Sequence, residues 1–174
     1  ARPGDVLVLT KPLGTGILLA GLPRGITHAE WMSPLLESML KSNAAPARLA
    51  REFAASALTD VTGFGLAGHM LEMLDASNVS ATIDLGAIPL LPGFADLIDQ
   101  NVESTLAPSN REVESRFARE PHSTQHAPQF AAMFDPQTSG GLLVALAPDR
   151  VAEFVAASIE NAIQAAVIGT CQPA

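Results

Sequence analysis

Two short runs in the chain are apolar at nearly every position. Asp5 to Thr10 (DVLVLT) lies between Pro3-Gly4 and Lys11-Pro12, and Leu142 to Ala147 (LLVALA) follows Gly140-Gly141. Apolar, β-branched runs of this length bounded by turn residues predict buried strands. Val79 to Leu85 (VSATIDL) alternates apolar and polar positions, the period of two expected of a half-exposed strand. A strand near Ala57 and a last one over Ala166 to Thr170 complete the set. Helical spacing of three and four residues marks Ala29 to Lys41, where Trp31, Met32, Leu35, Leu36, Met39 and Leu40 form one face. Further helices are predicted over Ile17 to Leu22, after Pro46, over Leu66 to Leu74, over Gln129 to Phe134 and over Asp149 to Ile163. Between Pro89 and Pro128 the pattern predicts short helices and long loops. The strands alternate with helices, but regular strand-helix-strand units are too few for a doubly wound fold. The expected class is α+β, a mixed β-sheet with helices packed on its faces, in a single domain over residues 1–174.

Composition narrows the function. The chain has 174 residues, 48% apolar and 16% charged, the make-up of a globular protein. Ten Lys and Arg against eighteen Asp and Glu leave a net charge of −8, which disfavours a nucleic-acid backbone as partner. A small phosphate ligand remains open, because backbone N–H groups and a metal ion can hold it locally. Cys171 is the one cysteine, so no internal disulfide forms, and a reducing, cytoplasmic setting is expected. Apolar runs such as Gly141 to Ala147 are too short to span a membrane. The chain starts without Met, inside a turn-like Arg2-Pro3-Gly4-Asp5, and reads as a piece of something longer.

Three stretches can carry chemistry. Residues 63 to 68 are a literal G-x-G-x-x-G between a strand and a helix, with Asp84 21 residues past the first Gly, as in a dinucleotide fingerprint. Against that reading, Thr59, Asp60 and Thr62 sit where a central parallel strand should be apolar. Asp60, at a strand end before a turn of free N–H groups, suits a hard cation such as magnesium that grips phosphate oxygens. The alternative is that Asp60 caps the helix and the glycines only turn the chain. The second stretch, Asp135-Pro136-Gln137-Thr138-Ser139-Gly140-Gly141, precedes a strand, and turn geometry is its first explanation. The third, Thr10-Lys11-Pro12-Leu13-Gly14-Thr15-Gly16, lacks the P-loop order, and Lys11 reads as a solvated lysine, with contact to an anion as the alternative. His122 and His126 are bracketed by Pro121 and Pro128, which argues against a helical metal pair. His69 is expected to pack or cap, and Cys171 has no cationic neighbour to make it a nucleophile.

Taken together, LTKPLGTG at 9 to 16, TDVTGFGLAGH at 59 to 69, IPLLPG at 88 to 93, DPQTSGGLLVAL at 135 to 146 and AVIG at 166 to 169 resemble the selenophosphate synthetase (selenide, water dikinase) family, over its C-terminal half. That half is shared with aminoimidazole ribonucleotide synthetase and its relatives. The resemblance implies a reaction in which ATP, selenide and water give selenophosphate, AMP and phosphate with Mg2+. It also implies a homodimer, and an N-terminal domain of the same polypeptide that carries the reactive Cys or selenocysteine and most metal-binding aspartates. By the same resemblance Asp60 is the metal ligand from this half, with Thr62, Gly63 and Gly65 on the phosphate side. Asp135, Thr138, Ser139, Gly140 and Gly141 would shape the wall of the cleft. Asn110 and Arg111 remain cleft residues without a role. The alternatives are a domain of another ATP-using relative, in purine biosynthesis or hydrogenase maturation, and a non-catalytic partner-binding module.

Overall fold

The computed structural model describes residues 1–118 and 126–174, so the predicted His122 to His126 spacing lies partly outside the described residues. The chain runs β1 (Val6–Leu9), α1 (Thr15–Gly21), α2 (Ala29–Leu40), α3 (Ala44–Glu52), β2 (Ala57–Asp60), α4 (Gly65–Ser77) and β3 (Val79–Ile83). It continues through α5 (Phe94–Asp99), α6 (Ala107–Asn110), α7 (Ala127–Ala132), β4 (Leu142–Leu146), α8 (Pro148–Glu160) and β5 (Ala166–Pro173). Short 3-10 turns cover Leu22–Arg24, Leu85–Ala87 and Arg111–Arg116.

The strands form one sheet in the order β2-β4-β1-β5-β3. The α+β class is as predicted, but every pairing in the sheet is antiparallel where the sequence suggested a mixed sheet. The reason lies in the connections. β1 and β2 run the same way, joined by helices as in a parallel unit, and β4 inserts between them in the opposite sense; β5 does the same between β1 and β3. Helix-strand alternation along the chain therefore coexists with an antiparallel ladder.

Burial on both faces explains why β1 and β4 are apolar throughout. Side chains alternate across a strand, and Leu7, Leu9, Leu143 and Ala145 face a large core that includes Leu18, Leu35, Leu66, Met70, Phe94 and Phe134. Val8, Leu142, Val144 and Leu146 face the other way, onto Leu49, Ala50 and Phe154 of α3 and α8. The edge strand β2 is half-exposed and alternating. Two boundaries shift for local reasons. Pro128 falls in the first turn of α7, where its missing N–H is not needed, so that helix starts earlier than predicted. β5 extends to Pro173 because it pairs with β3 up to Val79↔Pro173. Among the described residues no helix is long and apolar enough to cross a membrane.

Candidate functional site

The three singled-out stretches meet at one end of the sheet. β1 and β2 both finish there and β4 begins there, with Leu9 opposite Leu143 and Asp60 opposite Leu142. The ladder continues past the strands, since Val61 N–H donates to Gly141 O at 2.9 Å and Thr10 N–H to Leu142 O at 3.0 Å. Gly140 and Gly141 are glycines for a steric reason. A Cβ at Gly140 would run into the Val61 carbonyl, and one at Gly141 would crowd the Lys11 backbone.

The Asp135 string is a clamp on the first turn of α1. Gln137 Oε1 accepts from Gly14 N–H at 3.0 Å and from Thr15 N–H at 3.2 Å, and Thr15 Oγ1 accepts from Thr138 N–H at 2.7 Å. Asp135 is buried, with Oδ2 accepting from Gly16 N–H at 3.1 Å and Oδ1 from the Ser104 hydroxyl at 3.0 Å. Burial pushes its carboxyl up to about 6, against the opposing pull of hydrogen bonds from Ser104, Ile17, Gln137 and Gly16. Every oxygen is thus engaged, and Asp135 faces the interior of the fold. Sequence reasoning found the string but missed Gln137, Ser104 and Asn43; an amide between Asp-Pro and Thr-Ser carries no signal of the contacts it makes elsewhere in the chain. Asn43 Nδ2 donates to Gly140 O at 2.9 Å.

Lys11 is the clearest departure from expectation. It is buried, not solvated, and its ammonium donates to Lys41 O at 2.7 Å and Ser139 O at 2.8 Å. Burial and the neighbouring Lys41 charge push it below the usual lysine range. Asn110 and Arg111, left without a role by the sequence, have structural partners. Asn110 Nδ2 donates to Gly63 O at 2.9 Å and Phe134 O at 3.0 Å, tying the glycine bend to the end of α7. Arg111 lies over the Phe134 ring and pairs with Glu103 and Glu114.

The bend after β2 differs from these interlocked parts. Asp60 is exposed at the end of an edge strand, and its carboxylate has no hydrogen bond or ion pair among the described residues. The N–H groups of Gly63 and Phe64 likewise have no acceptor among the described residues, and α4 has no side-chain cap. Asp60 therefore does not cap α4. A Cβ at Gly63 would meet nothing within 4 Å, so the bend is open on that side. Thr62 and Gly65 are more committed. The Thr62 hydroxyl lies 3.0 Å from His69 Nε2, whose Nδ1 lies 3.2 Å from Glu72 Oε2. Gly65, with φ at +68°, backs onto the Met133 carbonyl, where a Cβ would come within 2.7 Å of the oxygen. His69 thus serves a polar chain more than packing alone. Cys171 is buried and its thiol is pushed up by that burial, consistent with an inert role.

A hard divalent cation takes about six oxygen ligands. Asp60 offers one carboxylate to such an ion, and no group of three or more His, Cys, Asp or Glu among the described residues would hold one. The dinucleotide reading fails on topology. β2 and β3 are opposite edges of an antiparallel sheet, which separates Asp84 from the glycine bend, and Asp84 Oδ1 instead accepts from Gly86 N–H at 2.9 Å.

Comparison with known proteins identifies the family and the fold. The chain is 39% identical over 184 residues to the selenide, water dikinase of Geobacter sp. (strain M21), covering 100% of the chain and 50% of that relative. The chain spans about half the length of the curated relatives it matches. Its fold is shared with thiamine-monophosphate kinase from Stenotrophomonas maltophilia K279a, at a TM-score of 0.71 and 15% identity, covering 100% of the chain and 49% of the other. T. maritima PurL complexed with ATP gives a TM-score of 0.57 at 14% identity, covering 100% of the chain and 22% of PurL. The family model described as AIR synthase related protein, C-terminal domain, matches residues 2–174, and the chain belongs to that family.

Proposed function

We propose that this chain is the C-terminal half of a selenide, water dikinase, the enzyme that makes selenophosphate, AMP and phosphate from ATP, selenide and water. The observation that carries the reading is the unpartnered Asp60 carboxylate beside the unpaired N–H groups of Gly63 and Phe64, at the start of the 13-residue α4. Phosphoryl transfer depends on charge neutralisation and positioning more than on a protein nucleophile. Asp60 supplies one ligand to Mg2+, which when bound neutralises the phosphate charge of ATP. The Gly63 and Phe64 N–H groups, with the positive end of the helix, meet phosphate oxygens. Thr62 and Gly65 hold the bend in shape from behind, through His69 and the Met133 carbonyl. The 39% identity to a named dikinase favours this activity over that of other ATP-using relatives, whose likeness is one of fold.

One carboxylate is too few for the metal, so the remaining ligands come from an N-terminal half of the same polypeptide, and this chain alone is inactive. Phe64 and Leu58, 58% and 43% exposed beside Asp60, give that half an apolar surface to cover. The intact enzyme works as a cytoplasmic homodimer. The deciding experiment is Asp60→Asn in the full-length enzyme, with Mg2+-dependent ATP turnover and selenophosphate formation measured together. A large fall in both is expected; wild-type rates would remove Asp60 from the mechanism.

A further inference from the structure

A second concave site lies beyond the Asp60 bend. A cavity of about 570 Å³ opens between the end of α2, the start of α3 and the turns at 89–92 and 161–164. Its lining combines hydrogen-bond donors with stiff apolar residues, among them Pro12, Pro34, Leu90, Pro92 and Ile163.

The donor side is incompletely satisfied. Lys11 lines the cavity and is only 6% exposed, yet its ammonium has two acceptors, Lys41 O and Ser139 O, for three N–H donors. Ser38 lines the same cavity at 7% exposure, and its hydroxyl has no hydrogen-bond partner among the described residues. The Ser38 hydroxyl is not among the enclosed unpartnered atoms of the described residues, so it opens to the cavity, where a group supplied from outside can take it. The nine-residue α3 begins at the cavity with no acidic residue in its first turn, and its Ala44 N–H is taken by the Ser42 hydroxyl at 3.1 Å. The Ala45 N–H of that turn has no acceptor among the described residues. At the rim Lys41 pairs with Glu37 at 2.9 Å, so two ammonium groups face one carboxylate.

We infer that this cavity binds a small phosphomonoester, its phosphoryl oxygens taking the Ser38 hydroxyl, the free Lys11 N–H and the Ala45 N–H at the start of α3, and its body lying on the proline-rich wall. The chemistry of each donor suits a phosphoryl group: a buried ammonium, a hydroxyl and a helix N-terminus together form an anion site. A bound anion would also offset the burial and Lys41 repulsion that now depress the Lys11 ammonium. The site uses neither Asp60 nor the glycine bend, so it stands or falls separately from the magnesium reading.

The test is an amide-resolved NMR titration of the 174-residue chain without divalent metal, using AMP in one arm and inorganic phosphate in the other. Saturable shifts at Ser38, Ser42 and Ala45 are expected in both arms, with AMP the tighter because it also reaches the apolar wall. Ser38→Ala removes one hydroxyl from a folded helix and should weaken both by about 10- to 150-fold, the loss of one hydrogen bond to a charged group. Asp60→Asn should leave the affinities unchanged. Absence of saturable shifts at these amides, equal affinity in Ser38→Ala, shifts confined to residues 62–65, or AMP binding no tighter than phosphate would each overturn the inference.

Discussion

Gln137 Oε1 accepts hydrogen bonds from both the N–H and the hydroxyl of Thr15, each at 3.2 Å, across 122 residues of chain. The same side chain donates through Nε2 to Asp135 O at 2.9 Å and Oδ2 at 3.0 Å. One buried amide thus closes the first turn of α1 and fixes the loop that leads into β4. Gln137→Ala leaves Gly14 N–H, Thr15 N–H and an Asp135 oxygen short of partners in a buried setting. Leaving buried polar groups unpaired costs about 1–3 kcal/mol each, so a loss of about 3 kcal/mol or more is expected in urea unfolding. A loss below about 1 kcal/mol would mean that water replaces the amide freely.

Asp135 makes the stability of this clamp depend on pH. Its folded-state carboxyl titrates at about 6, raised above the ordinary 3.8 chiefly by burial. The folded chain therefore keeps a proton that the unfolded chain has released, and this group's contribution to stability falls as pH rises from about 4 to about 6. A displacement of about two units corresponds to about 3 kcal/mol, present as a cost above that window. Asp135→Asn removes the titration. The difference in urea midpoint between wild type and Asp135→Asn should change through the pH 4 to 6 window and level off above it. A difference that stays constant with pH would contradict the burial argument.

The parts of the fold that periodicity revealed are those whose environment is uniform along an element. The Trp31 to Leu40 helix and the doubly buried β1 and β4 were legible because one or both of their faces meet apolar core. Strand direction was misread because helices alternate with strands along the chain, whereas β4 and β5 insert in the opposite sense between strands that run the same way. At the site, the place of Asp60 at a strand end before a Gly-rich turn was legible, while the choice between a metal ligand and a helix cap was not, since both readings use the same position. Lys11 was not, because its acceptors are main-chain oxygens of residues 41 and 139, which carry no side-chain signature. Gln137 and Asn110 were obscure for the same reason: each binds backbone groups remote in sequence.

The glycines of the site should separate cleanly by substitution. Gly140→Ala forces a methyl into the Val61 carbonyl, where the obstacle is backbone held in the sheet and cannot swing aside. Overpacking of this kind costs about 1–3 kcal/mol or more, and the upper end is expected. Gly63→Ala meets open space and no unusual φ, so its unfolding midpoint should match wild type to within about 0.5 kcal/mol. In the full-length enzyme Gly63→Ala places a methyl on the open side of the bend, and KM for ATP should rise while the thermal midpoint holds. A fall in the midpoint would show that the bend is packed against something other than nucleotide.

Asp60 offers the sharpest separation between a role in folding and a role in chemistry. Its carboxylate is exposed and touches no donor among the described residues, and the edge strand that carries it is held by backbone pairing of Asp60 with Leu142. Asp60→Asn keeps size and backbone and removes only charge, so the unfolding free energy of the 174-residue chain should move by no more than about 0.5 kcal/mol. Charge is what a magnesium ion requires of the residue, and an amide oxygen is a weak substitute. In the full-length enzyme the same change should therefore raise the Mg2+ concentration needed for half-maximal ATP turnover as well as lowering the maximal rate. An unchanged magnesium requirement with a lowered rate would place Asp60 on the nucleotide instead of the metal, and a large drop in stability would mean that the carboxylate has a structural partner in solution.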